Sequence, residues 1–70
     1  MSQQNTATNL LPGEHADLRE DARELIDNGD AWFDTPNTRF YGKSAKEMVA
    51  EGREDFVRNV LRSIRYGMFT

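Results

Sequence analysis

The chain has 70 residues, a net charge of -3 and no cysteine, so a disulfide framework and cysteine-based zinc sites are excluded. A single core of this size supplies about 3–5 kcal/mol, so we expect one small domain that forms a homo- or hetero-oligomer. No apolar run approaches the roughly 18 residues that cross a bilayer, and the first residues lack a secretory signal. These features predict a cytoplasmic protein.

Charge is distributed unevenly between the two halves of the chain. Met1 to Asn37 contains eight acids and two bases, whereas Thr38 to Thr70 contains seven bases and four acids. Halves of opposite sign can attract each other within a dimer or present two faces to partners. A solvated surface is the alternative interpretation.

The first elements follow a polar N-terminal stretch. We expect residues 1–12 to be a disordered tail and residues 13–70 to form the domain. After Pro12-Gly13, spaced apolar residues predict a first helix that ends at Asn28-Gly29. A short helical turn from Asp30 to Phe33 is expected next, stopped by Pro36.

The second half begins with a loop, Asn37 to Lys43. Ser44 and Glu47 then have the spacing of a capping box, which predicts a second helix that Gly52 ends. Apolar residues at helical spacing predict a third helix, with Gly67 as its left-handed cap; they are Phe56, Val57, Val60, Leu61 and Ile64. The expected fold is all-α, a small three-helix bundle with an additional short helical turn.

Catalytic and metal-binding chemistry is poorly represented in the sequence. His15 is the one histidine, and its place in an acidic first turn favours a solvated imidazole over a catalyst or ligand. We therefore expect no enzymatic activity and no metal or cofactor. A basic edge on the third helix, formed by Arg53, Arg58, Arg62 and Arg65, leaves nucleic-acid binding as an alternative that the acidic net charge argues against.

Ordered motifs from Leu25 to Thr70 resemble the toxin-binding domain of Xre/MbcA/ParS-like antitoxins. The motifs are Trp32-Phe33-Asp34-Thr35-Pro36-Asn37, Phe40-Tyr41-Gly42-Lys43-Ser44, Glu51-Gly52-Arg53 and the ending Ile64-Arg65-Tyr66-Gly67-Met68-Phe69. Two positions differ from the family. Ser44-Ala45 replaces the usual Thr-Pro, and Tyr41 stands where the family usually has the first glycine of a pair. Because one helix precedes Trp32, we expect no helix-turn-helix domain and no direct DNA binding.

The resemblance implies a non-enzymatic inhibitor that binds an RES-domain toxin, a NAD-consuming enzyme, and occludes its active site. It also implies that the C-terminal end enters the toxin cleft. Candidate partner-binding residues are Phe40, Tyr41, Arg62, Arg65, Tyr66, Gly67, Met68, Phe69 and Thr70. Phe40 and Tyr41 are equally compatible with the core, Met68 with the helix cap, and the two arginines with the helix dipole. The alternative function is an oligomerising adaptor or mobile-element protein that binds a different host enzyme or complex.

Overall fold

The computed structural model describes residues 10–67, and its regular elements are helical. They are α1 (Leu18–Leu25), α2 (Gly29–Asp34), a 3-10 turn (Thr38–Phe40), α3 (Ala45–Ala50) and α4 (Glu54–Tyr66). Within this range an isolated bridge between Asn37 and Lys43 is the only β-type pairing. The predicted all-α fold is confirmed. The predicted short turn is a six-residue helix, so residues 10–67 contain four α-helices.

Helix α1 begins later than the sequence predicts. Residues 11–14 form a turn closed by the Glu14 amide, which donates to the Leu11 carbonyl at 3.0 Å. Pro12 and Gly13 occupy its centre, and Gly13 has a φ of 86°, as the third position of a type II turn requires. The Asp17 carboxylate then caps α1 by accepting from the Arg19 amide. Leu10 to Pro12 of the predicted tail are therefore next to the domain, and the rest of that tail lies outside the described residues.

The predicted caps of the last two helices are confirmed. The Ser44 hydroxyl accepts from the Glu47 amide, and the Glu47 carboxylate accepts from the Ser44 amide, so both halves of the capping box are present. Helix α4 ends at Gly67, whose φ of 66° is the left-handed conformation expected of this cap. Local sequence thus determines where α3 begins and where α4 ends.

Helix α4 is the longest element, and it packs against α1 and α3. Its buried residues are Val57, Val60 and Leu61, whereas Phe56 and Ile64 are half-buried at the margin of the core. The other helices and the 3-10 turn contribute the remaining buried apolar side chains: Leu18, Ala22, Phe33, Phe40, Ala45 and Met48. Trp32 packs against this core while remaining half-buried. The described helices include none that is long and apolar enough to span a bilayer.

Gly29 has a packing role that differs from its predicted role as a helix stop. Asn28 takes the left-handed conformation at this corner, with a φ of 55°. Gly29 is buried, and a Cβ atom at this position would lie 2.3 Å from the Ala22 carbonyl oxygen. The close approach of α1 and α2 therefore excludes a side chain at residue 29.

Candidate functional site

Asp21 is the centre of an ion-pair network between α1 and α4. It shares the core-facing side of α1 with Leu18 and Ala22, and it is 1% exposed. Its carboxylate accepts from Arg58 Nη1 at 3.0 Å, from Arg65 Nη2 at 2.6 Å and from the His15 amide at 3.1 Å. A buried carboxylate is tolerated only where donors replace its water, and three donors do so here.

A second carboxylate joins the turn before α1 to α4. Glu14 Oε2 accepts from Arg62 Nε at 2.7 Å, and Oε1 accepts from Arg62 Nη2 at 3.0 Å. The side chain of Glu14 is fully covered. The paired guanidinium of Arg62 lowers the pKa of Glu14 from its usual 4.5 to about 2, with help from the Leu11 amide. Arg62 in turn has a raised pKa because of its hydrogen bonds to Glu14.

Arg58 and Arg65 have further acceptors in the N-terminal half. Arg58 Nη2 donates to the His15 carbonyl at 2.7 Å and to the Ala16 carbonyl at 3.2 Å. Arg65 Nη2 donates to Glu24 at 2.8 Å, which lowers the pKa of Glu24 and raises that of Arg65. The buried Arg65 Nε finds no acceptor among the described residues. The two oppositely charged halves of the sequence therefore meet within one chain.

The network changes the interpretation of the basic edge of α4. Arg58, Arg62 and Arg65 lie one turn apart on one face of α4, and acids of the same chain engage each of them. The candidate contact residues Arg62 and Arg65 thus attach α4 to α1 and to the turn that precedes α1. A phosphate or a partner carboxylate at these arginines would have to compete with Glu14 and Asp21.

His15, Asp21 and Glu24 form a cluster in which one ligand atom from each lies within 4.8 Å of the others. His15 Nε2 lies 3.2 Å from Glu24 Oε1. A cation there would meet two guanidinium groups, since Arg58 and Arg65 already occupy the carboxylates. The arginines explain why the acids converge, and the cluster gives no independent indication of a metal.

The loop before α3 places two adjacent candidate residues, Phe40 and Tyr41, in different environments. Its ends pair where the Asn37 amide donates to the Lys43 carbonyl at 3.0 Å, and the Lys43 amide donates to the Phe40 carbonyl at 3.0 Å. Phe40 is 0% exposed, whereas Tyr41 is 78% exposed. Tyr41 also has a φ of 58°, in the left-handed region. Phe40 therefore belongs to the core, and Tyr41 projects from a closed loop.

Aromatic side chains of the core pack against the two aromatic residues of this loop. The Phe40 ring makes edge contacts with Trp32 and with Phe56, each at a centroid distance of 5.8 Å. The Tyr41 ring lies 6.0 Å from the Phe56 ring at an angle of 33°. Edge-to-face packing of this kind fixes the positions of the rings. The backbone that carries Tyr41 is therefore held by a buried neighbour.

The remaining candidates lie at the other end of α4. Tyr66 is 44% exposed, and its hydroxyl is 3.4 Å from the Pro12 carbonyl oxygen. Gly67 caps the helix, and Met68, Phe69 and Thr70 lie outside the described residues. Phe56, beside Tyr41, and Tyr66 are ten residues apart, which corresponds to about 15 Å along a helix axis. The candidate residues thus form two separate groups.

Sequence reasoning missed the acids of the network, Glu14 and Asp21. Two signals pointed to them. The arginines of α4 recur at the spacing of one helix face, and Asp21 lies beside Ala22 on the apolar face of α1. A charged residue on an apolar face indicates a buried partner.

No protein-family model matches this chain, and no curated protein or solved structure is significantly similar to it. The resemblance to antitoxin domains therefore stays a prediction made from the sequence motifs.

Proposed function

We propose that this protein is a non-enzymatic inhibitor of the antitoxin type, which binds an RES-type, NAD-consuming toxin and occludes its active site. Two observations support the proposal: the sequence motifs resemble those of the antitoxin family, and the end of α4 has a suitable geometry. Tyr66 is half-exposed immediately before the Gly67 cap, so the core does not require its ring. An exposed aromatic at the end of a rigid helix is suited to entering a cleft, because aromatic anchors dominate interface energies.

The ion pairs of the α4 arginines disfavour the nucleic-acid alternative. Phosphate binding relies on cationic side chains that exchange counterions for phosphates. Arg58, Arg62 and Arg65 already have carboxylate partners, and two of those carboxylates are covered by the fold. Inhibition of a protein therefore agrees better with this surface than DNA binding does.

Deletion of Phe69 and Thr70 tests the proposal. Both residues follow the cap of α4, so we expect helical circular dichroism to stay near the wild-type value. Loss of an aromatic hot spot costs about 2 kcal/mol or more, which weakens inhibition roughly thirtyfold. The assay measures NAD consumption by a purified RES-type toxin with increasing amounts of intact or truncated protein.

Asp27→Asn is the matched control, because it changes an exposed residue at the corner between α1 and α2. It should inhibit as the wild type does. Equal inhibition by truncated and intact protein would show that Phe69 and Thr70 do not contribute to the interface. A wild-type protein that leaves NAD consumption unchanged would contradict the proposed function itself.

A further inference from the structure

Tyr41 adopts a backbone conformation that its side chain disfavours. Its φ of 58° lies in the left-handed region, where a large side chain crowds the backbone and where residues of this size are rare. Asn28 has a similar φ of 55°, but asparagine is among the residues that tolerate this region. The strain at Tyr41 therefore needs a cause beyond the turn itself.

The conformation directs an aromatic ring into solvent. Tyr41 is exposed over most of its surface, and the preceding Phe40 is completely buried. The pairing of Asn37 with Lys43 closes the loop, and the Tyr41 amide donates to the Thr38 carbonyl at 3.1 Å. These bonds fix the backbone that carries the ring, so less backbone freedom is lost when Tyr41 binds, which favours affinity.

Packing against Phe56 does not account for the strained backbone and the exposed ring of Tyr41. The two rings are 6.0 Å apart, yet Tyr41 remains mostly in contact with solvent. Phe56 already receives the edge contact from Phe40. Glycine at position 41 would adopt the same φ without strain, so folding alone would favour glycine there.

The charged residues of the loop indicate the charge of the partner surface that Tyr41 would contact. The segment from Asn37 to Lys43 contains two bases, Arg39 and Lys43, and no acid, in a chain whose net charge is -3. Lys43 and Arg53 both approach Glu51, at 2.5 and 3.9 Å. The loop segment itself therefore carries two bases and no acid, which favours carboxylates on a partner.

We propose that Tyr41 is an aromatic anchor that inserts into an apolar pocket with an acidic rim on the partner protein. This contact lies about 15 Å along α4 from the C-terminal contact, so the domain engages its partner at two points. The inference rests on the proposed function, because the partner is the RES-type toxin.

Two substitutions test the anchor. Tyr41→Gly and Tyr41→Asn both remove the ring and both suit a positive φ. We expect each variant to keep or raise the melting temperature while its inhibition of NAD consumption weakens by about tenfold or more. A variant that is at least as stable as the wild type but inhibits less well would show that the Tyr41 ring contributes to binding and not to folding.

Asn28→Gly is the matched control. It makes the same backbone change at an exposed left-handed position that has no side-chain capping bond, so inhibition should not change. Unchanged inhibition in both Tyr41 variants would overturn the inference while the wild-type protein still inhibits. Loss of helical circular dichroism in both would assign Tyr41 to folding and would also overturn it. If the wild type does not inhibit the toxin, the proposed function fails first and the inference with it.

Ionic strength tests the acidic rim. The association rate of wild-type protein with toxin should fall as salt rises from about 0.05 to about 0.5 M, since screening weakens attraction between charges. Circular dichroism at each salt concentration checks that the domain stays folded. A rate that does not fall would overturn the acidic rim.

Discussion

Asp21→Asn should remove most of the stability of the domain, although asparagine has nearly the same shape as aspartate. The substitution keeps one acceptor oxygen and removes the charge that balances Arg58 and Arg65 at a site 1% exposed. Removing one partner from a buried ion pair costs about 3–5 kcal/mol. Each arginine keeps another acceptor, Glu24 for Arg65 and two backbone carbonyls for Arg58, so the low end applies. A loss of about 3 kcal/mol is comparable with the whole stability of a domain this small.

Urea denaturation followed by circular dichroism at pH 7 measures this loss. With a slope of about 1 kcal/mol/M, the midpoint should fall by about 3 M urea. Asp30→Asn is the matched control, because Asp30 also pairs with two arginines, Arg19 and Arg23, but is exposed. Its midpoint should stay much closer to that of the wild type. Equal midpoints for the two variants would refute the argument that burial makes the Asp21 network essential.

Three further predictions concern acid stability, the core and one close approach. Because the pKa of Glu14 is lowered in the folded protein, the ionised carboxylate contributes its full stabilisation to the free energy of unfolding above about pH 4.5. That stabilisation is lost as the pH falls toward about 2. The difference in urea midpoint between wild type and Glu14→Gln should shrink over that range. Leu61→Ala should cost about 2–5 kcal/mol, and Ile64→Ala less because it is half-buried, as measured by urea midpoints. Gly29→Ala should lower the melting temperature despite alanine's better helix propensity, because its methyl group would collide with the Ala22 carbonyl. A melting temperature at or above wild type would contradict that close approach.

The candidate site was only partly predictable from the sequence. The motif around Phe40 and Tyr41 marked the loop, but adjacent residues of a loop have no fixed periodicity that assigns one to the core. The left-handed backbone at Tyr41 was equally hidden, since side chains of this type seldom adopt it. Arg62 and Arg65 were recognised as a basic edge, yet their partners lie more than 40 residues away in the chain. Residues at such separations become neighbours only when the helices pack.

Local sequence alone determined where α3 begins, where α4 ends and which face of α4 is apolar. The capping box at Ser44, the left-handed cap at Gly67 and the apolar spacing of α4 depend on residues within one or two helical turns of each other. Those interactions form wherever the segment is helical, so their outcome can be predicted from the sequence. Tertiary structure decided how the charges are used. It brought Glu14 and Asp21 against the arginines of α4, because charge attraction depends on distance and burial, which packing alone establishes.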